Sequence, residues 1–290
     1  MTENNLAENK ILPRLQKLLN IMEKEEQSSF YRKKFQTAGV NAGTLKTLAD
    51  LPKFPLTHWI DFFETKLWER LYKRNVAEGK IVKIINEYRR VFLIQRNLSD
   101  LYEEDYEISK LQKPQILFGN IHEALEKSLL FYENNVLPLI GEPNNFAIST
   151  FSAKERNIDS LMIGERLFCS YVNHLKEVMD VKDLKIMVVG QFIDPSNILQ
   201  LVETLKINSV RFIMELPETG PFAYACPEAL VQGKLVFHPD KNSFVENEGA
   251  LIITKVIHMP TPVIRYQADI FAQPEKTNCN CEAEKSFVLI

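Results

Sequence analysis

Three cysteines and one histidine in the last third of the chain are the residue types of a tetrahedral zinc site. They are Cys226, His238, Cys279 and Cys281. Thiolates and a neutral imidazole suit zinc, and four such ligands with no open position make a structural site. The last pair has Cys-x-Cys rather than the commoner Cys-x-x-Cys spacing, so free thiols and a surface histidine are the alternative. We predict a zinc ion that ties two separated stretches together.

Cys169 differs from this set because it stands beside Leu167 and Phe168 in an apolar stretch. A cysteine in such surroundings behaves as a small hydrophobic side chain. The sequence also contains no His-Glu-x-x-His motif and no nucleophile elbow around Ser149 or Ser152. We therefore expect Cys169 to be a core thiol.

The composition indicates a globular protein and disfavours several partner classes. The 290 residues are 45% hydrophobic and 25% charged, which is ordinary for a soluble domain. A formal net charge of −3 offers no basic surface for nucleic acid. The polar N-terminus and the lack of a run of about 18 apolar residues argue against a signal peptide and a membrane span. We expect a cytoplasmic protein with no nucleic-acid or membrane partner, whose cysteines are thiols or metal ligands.

The elements that must position these residues begin with a helical arm over residues 1–75. Its first helix carries apolar residues at helical spacing: Ile11, Leu15, Leu18, Leu19 and Met22. Pro52 and Pro55 break the regularity. Thr57 is the candidate N-cap of the next amphipathic helix.

Residues 76–215 predict an α/β core. KIVKIINEYRRVFLI is rich in β-branched residues and predicts a hairpin or two strands. Further on, the apolar strands LKIMVVG and SVRFIME flank the helix NILQLVETLKI, which Asp194 and Pro195 cap and open. This βαβ order favours a parallel sheet flanked by helices.

Shorter segments complete the core, and residues 216–290 follow as short strands and turns. Strands are predicted at PQILFGN and VLPLIG, and helices at SDLYEEDYEISKL, at IHEALEKSLLFYENN and over most of SAKERNIDSLMIGERLFCSYVNHLKEVMD. The sequence thus predicts one α/β domain over residues 1–290, in which a C-terminal β-rich subregion is held by the zinc.

Several stretches, in order, resemble the phenylacetate-coenzyme A ligases, a family of adenylate-forming enzymes. They are FYRKKFQTAGVNAGTLKTLADLPKFPLT, VVG at 188–190, MELPETGP at 214–221, ACPE at 225–228, GKLVFHPD at 233–240, GALIIT at 249–254 and TPVIRY at 261–266. The resemblance covers both ends of the chain and is weak from about residue 85 to 175. It implies the N-terminal domain of an adenylate-forming enzyme, and several relatives have cysteines and a histidine at matching places that bind structural zinc.

The resemblance also implies a two-step reaction and its residues. Such enzymes convert a carboxylate into an acyl-adenylate with ATP, and the thiol of coenzyme A then displaces AMP. Glu218 matches the magnesium-binding glutamate, and Thr219 after it also stands at a matching position. Pro217 replaces the family's threonine before that glutamate, and Met214-Glu215 replaces an aromatic-glycine pair beside the adenine. Asp269 matches the ribose-binding acid that follows Arg265-Tyr266.

Three departures from the family pattern suggest that this chemistry is incomplete. No glycine lies between Gly79 and Gly119, where the family has a flexible loop that approaches the triphosphate. One residue is missing before Asp269, so we expect this acid to face another way. Arg265 is either part of the same remnant nucleotide site or a structural ion-pair partner. The chain ends at Ile290, and we expect no C-terminal lid with its catalytic lysine.

Two functions follow as expectations. The first is an accessory or binding protein in a biosynthetic pathway that uses coenzyme A or carrier-protein thioesters, with ATP, AMP and coenzyme A doubtful as ligands. The alternative is an active, divergent ligase-like enzyme that handles such a thioester. An acyl carrier protein, a pathway enzyme or a second copy of the chain are the expected partners.

Overall fold

The computed structural model describes residues 4–24, 29–71, 81–85, 90–94, 111–192, 196–257, 259, 261–276, 279, 281 and 285–290. The chain forms two compact units. The first gathers Met1–Arg96, Pro217–Phe222 and His238–Ile290, and the second gathers Asn97–Leu216 and Ala223–Phe237. The division expected from the sequence, at residues 75 and 215, stays a prediction. It runs in chain order, whereas each unit combines segments that are distant in the chain.

The first unit opens with the predicted helical arm. Its helices are α1 (Asn4–Lys24), α2 (Ser29–Ala38), α3 (Trp59–Glu64) and α4 (Leu67–Arg70), and two 3-10 turns span Ala42–Thr44 and Leu48–Lys53. The apolar stripe of α1 is confirmed, since four of its members are buried: Leu15, Leu18, Leu19 and Met22. After the arm, β1 (Ile81–Ile85) and β2 (Arg90–Ile94) pair antiparallel, as predicted.

Thr57 does not cap the helix that follows it, which corrects the sequence prediction. The N-cap of α3 is His58, whose backbone N–H donates to the Asp61 carboxylate at 2.7 Å. The Thr57 hydroxyl instead donates to the carbonyl of Ile264 at 2.9 Å, across 207 positions of sequence. Residues this far apart in the chain leave no local sequence pattern. The sequence therefore placed the start of the helix within two residues but chose the wrong residue as its N-cap.

The second unit contains the predicted parallel sheet. Its strands are β3 (Pro114–Leu117), β4 (Leu139–Ile140), β5 (Ser160–Gly164), β6 (Lys185–Gly190) and β7 (Ser209–Leu216). They pair in parallel in the order β7-β6-β5-β3-β4. Most of the residues in β3, β5 and β6 are buried, as expected for parallel strands covered on both faces, which read as continuous apolar runs.

Helices connect these strands. They are α5 (Ile121–Glu133), α6 (Phe146–Arg156), α7 (Glu165–Leu175) and α8 (Ser196–Leu205). The connection from β3 to β4 runs toward one edge of the sheet, and the later connections run the opposite way. Because such crossovers are right-handed, α5 covers one face of the sheet and α6, α7 and α8 cover the other.

The strand β5 corrects the prediction of a largely helical segment over SAKERNIDSLMIGERLFCSYVNHLKEVMD. Asn157 adopts a left-handed conformation with φ of 51° and ends α6. The five residues of β5 then pair with β3 and β6 before α7 begins. Periodicity cannot separate a short apolar strand from helix when helical segments flank it on both sides.

The remaining strands confirm the short strands and turns predicted after residue 216. They are β8 (Gly220–Ala225), β9 (Phe237–Pro239), β10 (Ser243–Glu248), β11 (Ala250–Lys255), β12 (Tyr266–Pro274) and β13 (Phe287–Leu289). In the first unit β10, β11, β12 and β13 pair antiparallel in that order. A five-residue helix, α9 (Pro227–Val231), was not predicted.

Some predictions lie outside the described residues. They concern most of the SDLYEEDYEISKL helix, the Asp194-Pro195 cap, His258 and most of the segment matched to the triphosphate loop. In the part of the chain that is described, no helix has the length and apolarity needed to cross a bilayer.

Candidate functional site

The four predicted zinc ligands come together in the structure. Cys226 immediately precedes α9, His238 lies on β9, and Cys279 and Cys281 lie between β12 and β13. One ligand atom from each residue lies within 4.8 Å of the others. Cys226 and His238 are buried, and Cys279 and Cys281 are half-buried. This cluster could hold a metal ion.

The environment of His238 suits metal binding. Its Nδ1 lies 3.0 Å from the carbonyl oxygen of Lys285 and therefore donates to it, which leaves the lone pair of Nε2 for a metal. Burial lowers the pKa of His238, although the Lys285 contact acts the other way. The neutral imidazole that a metal requires is thus favoured.

The spacing of the donor atoms also fits zinc. Bonds of about 2.0–2.3 Å in a tetrahedron separate ligand atoms by roughly 3.3–3.8 Å. The Sγ of Cys279 lies 3.3 Å from Nε2 of His238, and the cluster limit of 4.8 Å requires a closure of only about 1 Å. Three thiolates and one imidazole would hold zinc as a closed structural staple.

The segment that carries Cys279 and Cys281 is fastened at its base. The backbone N–H of Glu275 donates to the carbonyl of Ser286 at 3.0 Å, and the Ser286 hydroxyl donates back to the carbonyl of Glu275 at 2.5 Å. The Lys285 ammonium lies 4.1 Å from the centre of the Phe244 ring, a cation–π contact. These contacts join the two ends of the segment beside Lys285, whose carbonyl accepts from His238.

Cys169 lies apart from this cluster, on α7. It is half-buried, and desolvation raises the pKa of its thiol. A raised pKa keeps the thiol protonated. The core position expected from the sequence is only partly met, because the side chain is half-buried.

Glu218 and Thr219 lie in the turn between β7 and β8. The Thr219 side chain is buried, and its hydroxyl donates to the carbonyl of Gly220 at 2.8 Å. Gly220 has a φ of 67°, a left-handed conformation that favours glycine. Glu218 is half-buried. The Thr219 hydroxyl stabilises its own turn, and the magnesium-binding role of Glu218 stays a prediction.

Arg265 makes the ion pair that the sequence left as its alternative role. Its Nε and one terminal nitrogen donate to the two carboxylate oxygens of Glu246 at 3.1 and 3.0 Å. The other terminal nitrogen donates to the carbonyls of Pro52 and Phe54 at 3.0 and 2.6 Å. Arg265 is 4% exposed and has a φ of 46°. The guanidinium therefore has a structural role, because its donors are used in hydrogen bonds within the protein.

Asp269 faces away from the buried side of its strand. Ala268 and Ile270 are buried, whereas Asp269 between them is exposed, as the alternation of side chains along a strand requires. No described contact brings Asp269 to Arg265. Its role as a ribose acid stays a prediction.

Two charged residues that the sequence analysis passed over form a buried pair. The Lys127 ammonium on α5 lies 2.5 Å from Glu215 on β7, and their side chains are 1% and 7% exposed. Burial alone would lower the pKa of Lys127, but the carboxylates of Glu215 and Glu126 outweigh it and raise that pKa. The sequence did contain a sign of this pair, because Lys127 lies at helical spacing from Ala124 and Leu130 on the buried side of the helix.

Comparisons with known proteins place the fold. Comparison of the sequence with protein-family models finds no match, and comparison with curated proteins finds none. A crystal structure of 2-hydroxyisobutyryl-CoA ligase in the postadenylation state matches with a TM-score of 0.77 at 14% identity, over 95% of this chain and 65% of that one. The same ligase in complex with 2-HIB-AMP and CoA matches with a TM-score of 0.72 at 15% identity, over 96% and 66%.

A further solved structure shares the fold more distantly. A variant of the amide bond synthetase McbA from Marinactinospora thermotolerans matches with a TM-score of 0.51 at 9% identity, over 73% of this chain and 48% of that one. The expected α/β fold is thereby supported, while the resemblance to phenylacetate-CoA ligases and the adenylate-forming role that it implies stay predictions. The chain spans about two thirds of the length of the 2-hydroxyisobutyryl-CoA ligase and has, over almost all of its own length, the fold of that part.

Proposed function

We propose that this protein uses the fold of a CoA ligase to bind a coenzyme A or carrier-protein thioester, as an accessory protein that does not form an acyl-adenylate itself. The observation that carries the proposal is the buried pair of Lys127 and Glu215. In open parallel sheets, ligands bind at the carboxyl ends of the strands. Glu215 stands at that end of β7, where the resemblance expects a glycine beside the adenine.

The pair fills this position with two charged side chains, and separating them costs free energy. Removing one partner of a buried ion pair costs about 3–5 kcal/mol, because the other charge is left buried without compensation. A nucleotide that displaced Lys127 from Glu215 would incur that penalty. The pair therefore supports a site that no longer accepts adenine in the expected place.

The surroundings of the expected ribose acid support the same proposal. Asp269 is exposed on β12, and Arg265 is held by Glu246 and two backbone carbonyls. No described contact joins the two side chains. We therefore expect neither ATP nor AMP to bind at this position.

A second candidate is an active, divergent ligase-like enzyme that handles a coenzyme A or carrier-protein thioester. The fold favours it, since the 2-hydroxyisobutyryl-CoA ligase that matches 96% of this chain is itself in complex with 2-HIB-AMP and CoA. Glu218 and Thr219, retained at the matching positions, are the residues that this candidate would use.

Binding and exchange measurements separate the two candidates. Thermal stability is compared with magnesium-ATP, AMP, coenzyme A and an acyl-coenzyme A, since a ligand at about 100 times its dissociation constant stabilises a protein by about 2.7 kcal/mol. Exchange of labelled pyrophosphate into ATP is measured with a panel of carboxylic acids. We expect stabilisation by coenzyme A or its thioester, none by ATP or AMP, and no exchange above a protein-free control.

Asp269→Ala is the matched variant for these measurements. Carboxylate-dependent exchange that this variant loses would replace the accessory function with the ligase-like one. Stabilisation by none of the four ligands would remove the thioester from both candidates.

A further inference from the structure

Helix α5 presents apolar side chains on two sides. Its inward side packs on the sheet of the second unit and includes the buried residues Ala124, Leu130 and Phe131. Its outward side carries Ile121 (47% exposed), Leu125 (48%), Leu129 (42%) and Tyr132 (65%). A helix at the surface of a globular protein ordinarily shows charged and polar residues opposite its buried side. The outward stripe of α5 thus lacks the polar cover of a solvent-facing helix.

The spacing of the outward residues is that of a packing surface. The positions 121, 125, 129 and 132 fall within one stripe that runs along about three turns of helix. Side chains four positions apart form the ridges by which helices pack against each other. The four residues form one continuous ridge, which we call the α5 stripe.

We propose that the α5 stripe is a self-association surface, on which the α5 stripe of a second copy of this chain packs antiparallel. In a two-fold arrangement the same patch meets itself, and each residue i faces a residue j whose facing partner is again i. A centre between Leu125 and Leu129 places these two side chains opposite each other across the axis. The same register brings Ile121 within about one residue, roughly 1.5 Å along the helix, of the position that faces Tyr132 of the second copy.

Complementary polar residues beside the α5 stripe, an imidazole that can donate a hydrogen bond and a carboxylate that can accept one, favour a second copy over an unrelated apolar partner. His122 and Glu133 are eleven residues apart, about three turns, and therefore lie on the same flank of the α5 stripe. Antiparallel packing in the register above brings His122 of each copy beside Glu133 of the other. It also sets the positive end of each helix dipole against the negative end of its neighbour.

The size of the stripe agrees with this assignment. At roughly 150–250 Å² for a whole aromatic side chain, and somewhat less for leucine and isoleucine, the four exposed fractions amount to about 400 Å² per copy. A stable interface buries about 800 Å² per partner, and about 65% of a homodimer interface is apolar. The stripe would supply most of that apolar part.

Sedimentation velocity over a range of micromolar concentrations tests the proposal with the whole chain. We expect the unmodified protein to sediment as a dimer. His122→Glu should weaken the dimer by about tenfold or more, because it sets like charges against each other. The double variant H122E/E133K restores opposite charges in the antiparallel register and should recover the dimer.

Phe151→Ser on α6 is the matched control, because Phe151 is 63% exposed and lies outside the α5 stripe. It should leave the dissociation constant unchanged, and circular dichroism verifies that all variants are folded. A protein that stays monomeric overturns the proposal and leaves the stripe to a different partner. A dimer that is insensitive to His122→Glu, or one that E133K fails to restore, overturns it as well.

Discussion

A single side chain, Arg265, accounts for much of the order around TPVIRY. Its guanidinium has two hydrogen bonds to Glu246 and two to carbonyls near the end of the second 3-10 turn. Burial raises the pKa of Glu246, while the neighbouring Arg265 acts to lower it. Buried charges persist where such bonds satisfy them. The guanidinium therefore explains why a non-glycine residue holds a left-handed backbone conformation at this position.

The contrast between Asp269 and Ile264 tests whether this stretch is retained for packing. Ile264 is 0% exposed, so Ile264→Ala should lower the free energy of unfolding by about 2–5 kcal/mol. Asp269→Ala removes an exposed carboxylate and should change it by less than about 0.5 kcal/mol. Urea denaturation measures both. Similar costs for the two variants would contradict the packing interpretation.

The predicted zinc site is tested by substituting its individual ligands. We expect one zinc ion per chain, measured by elemental analysis of protein purified without added metal. The double variant Cys279→Ser, Cys281→Ser removes two of the four ligands and should lose the metal. Cys169→Ser is the matched control and should keep it, because Cys169 lies outside the cluster. Folded, unmodified protein with metal content near zero would disprove the site.

At the scale of elements, the pair of Lys127 and Glu215 connects α5 to β7. Lys127→Met leaves Glu215 and Glu126 without their buried cation and should cost about 3–5 kcal/mol of unfolding free energy. The double variant Lys127→Met, Glu215→Gln should recover part of that loss, since the uncompensated charge at Glu215 is gone. Urea denaturation of both single variants and the double variant gives the coupling energy. Additive effects would show that the pair contributes nothing as a pair.

The success of sequence prediction varied from element to element. β6 and β7 were predicted closely because each contains an unbroken apolar run, from Ile186 to Val189 and from Phe212 to Met214. The four candidate zinc ligands were predicted because several cysteines and a histidine in one part of a sequence most often bind a metal ion. β5 was missed because its three large apolar residues, Leu161 to Ile163, are too few to show a period of their own between two helices. Lys127 and Glu215 could have been found by asking why charged residues occupy inward positions.

At the scale of the first unit, the N-terminal arm and the strand β12 are joined by reciprocal backbone bonds. The N–H of Thr57 donates to the carbonyl of Arg265 at 2.8 Å, and the N–H of Gln267 donates to the carbonyl of Thr57 at 2.9 Å. The hydroxyl of Tyr31 accepts from the N–H of Ile264 at 2.9 Å, and burial raises the pKa of Tyr31 to about 12. The sequence could not predict these bonds, because the residues that form them are far apart in the chain.

Because of this junction, we expect the arm and the start of β12 to open together rather than separately. Phe35 on α2 is 2% exposed and packs edge-on against Phe54, with ring centres 5.2 Å apart. Phe35→Ala should therefore destabilise the arm by about 3–5 kcal/mol. Native-state hydrogen exchange should then show equal losses of protection at the amides of Thr57 and Gln267. Lys33→Ala, an exposed change on the same helix, should leave both amides as they are. If Gln267 keeps its protection while Thr57 loses it, the arm opens alone, and the two segments do not form one cooperative element.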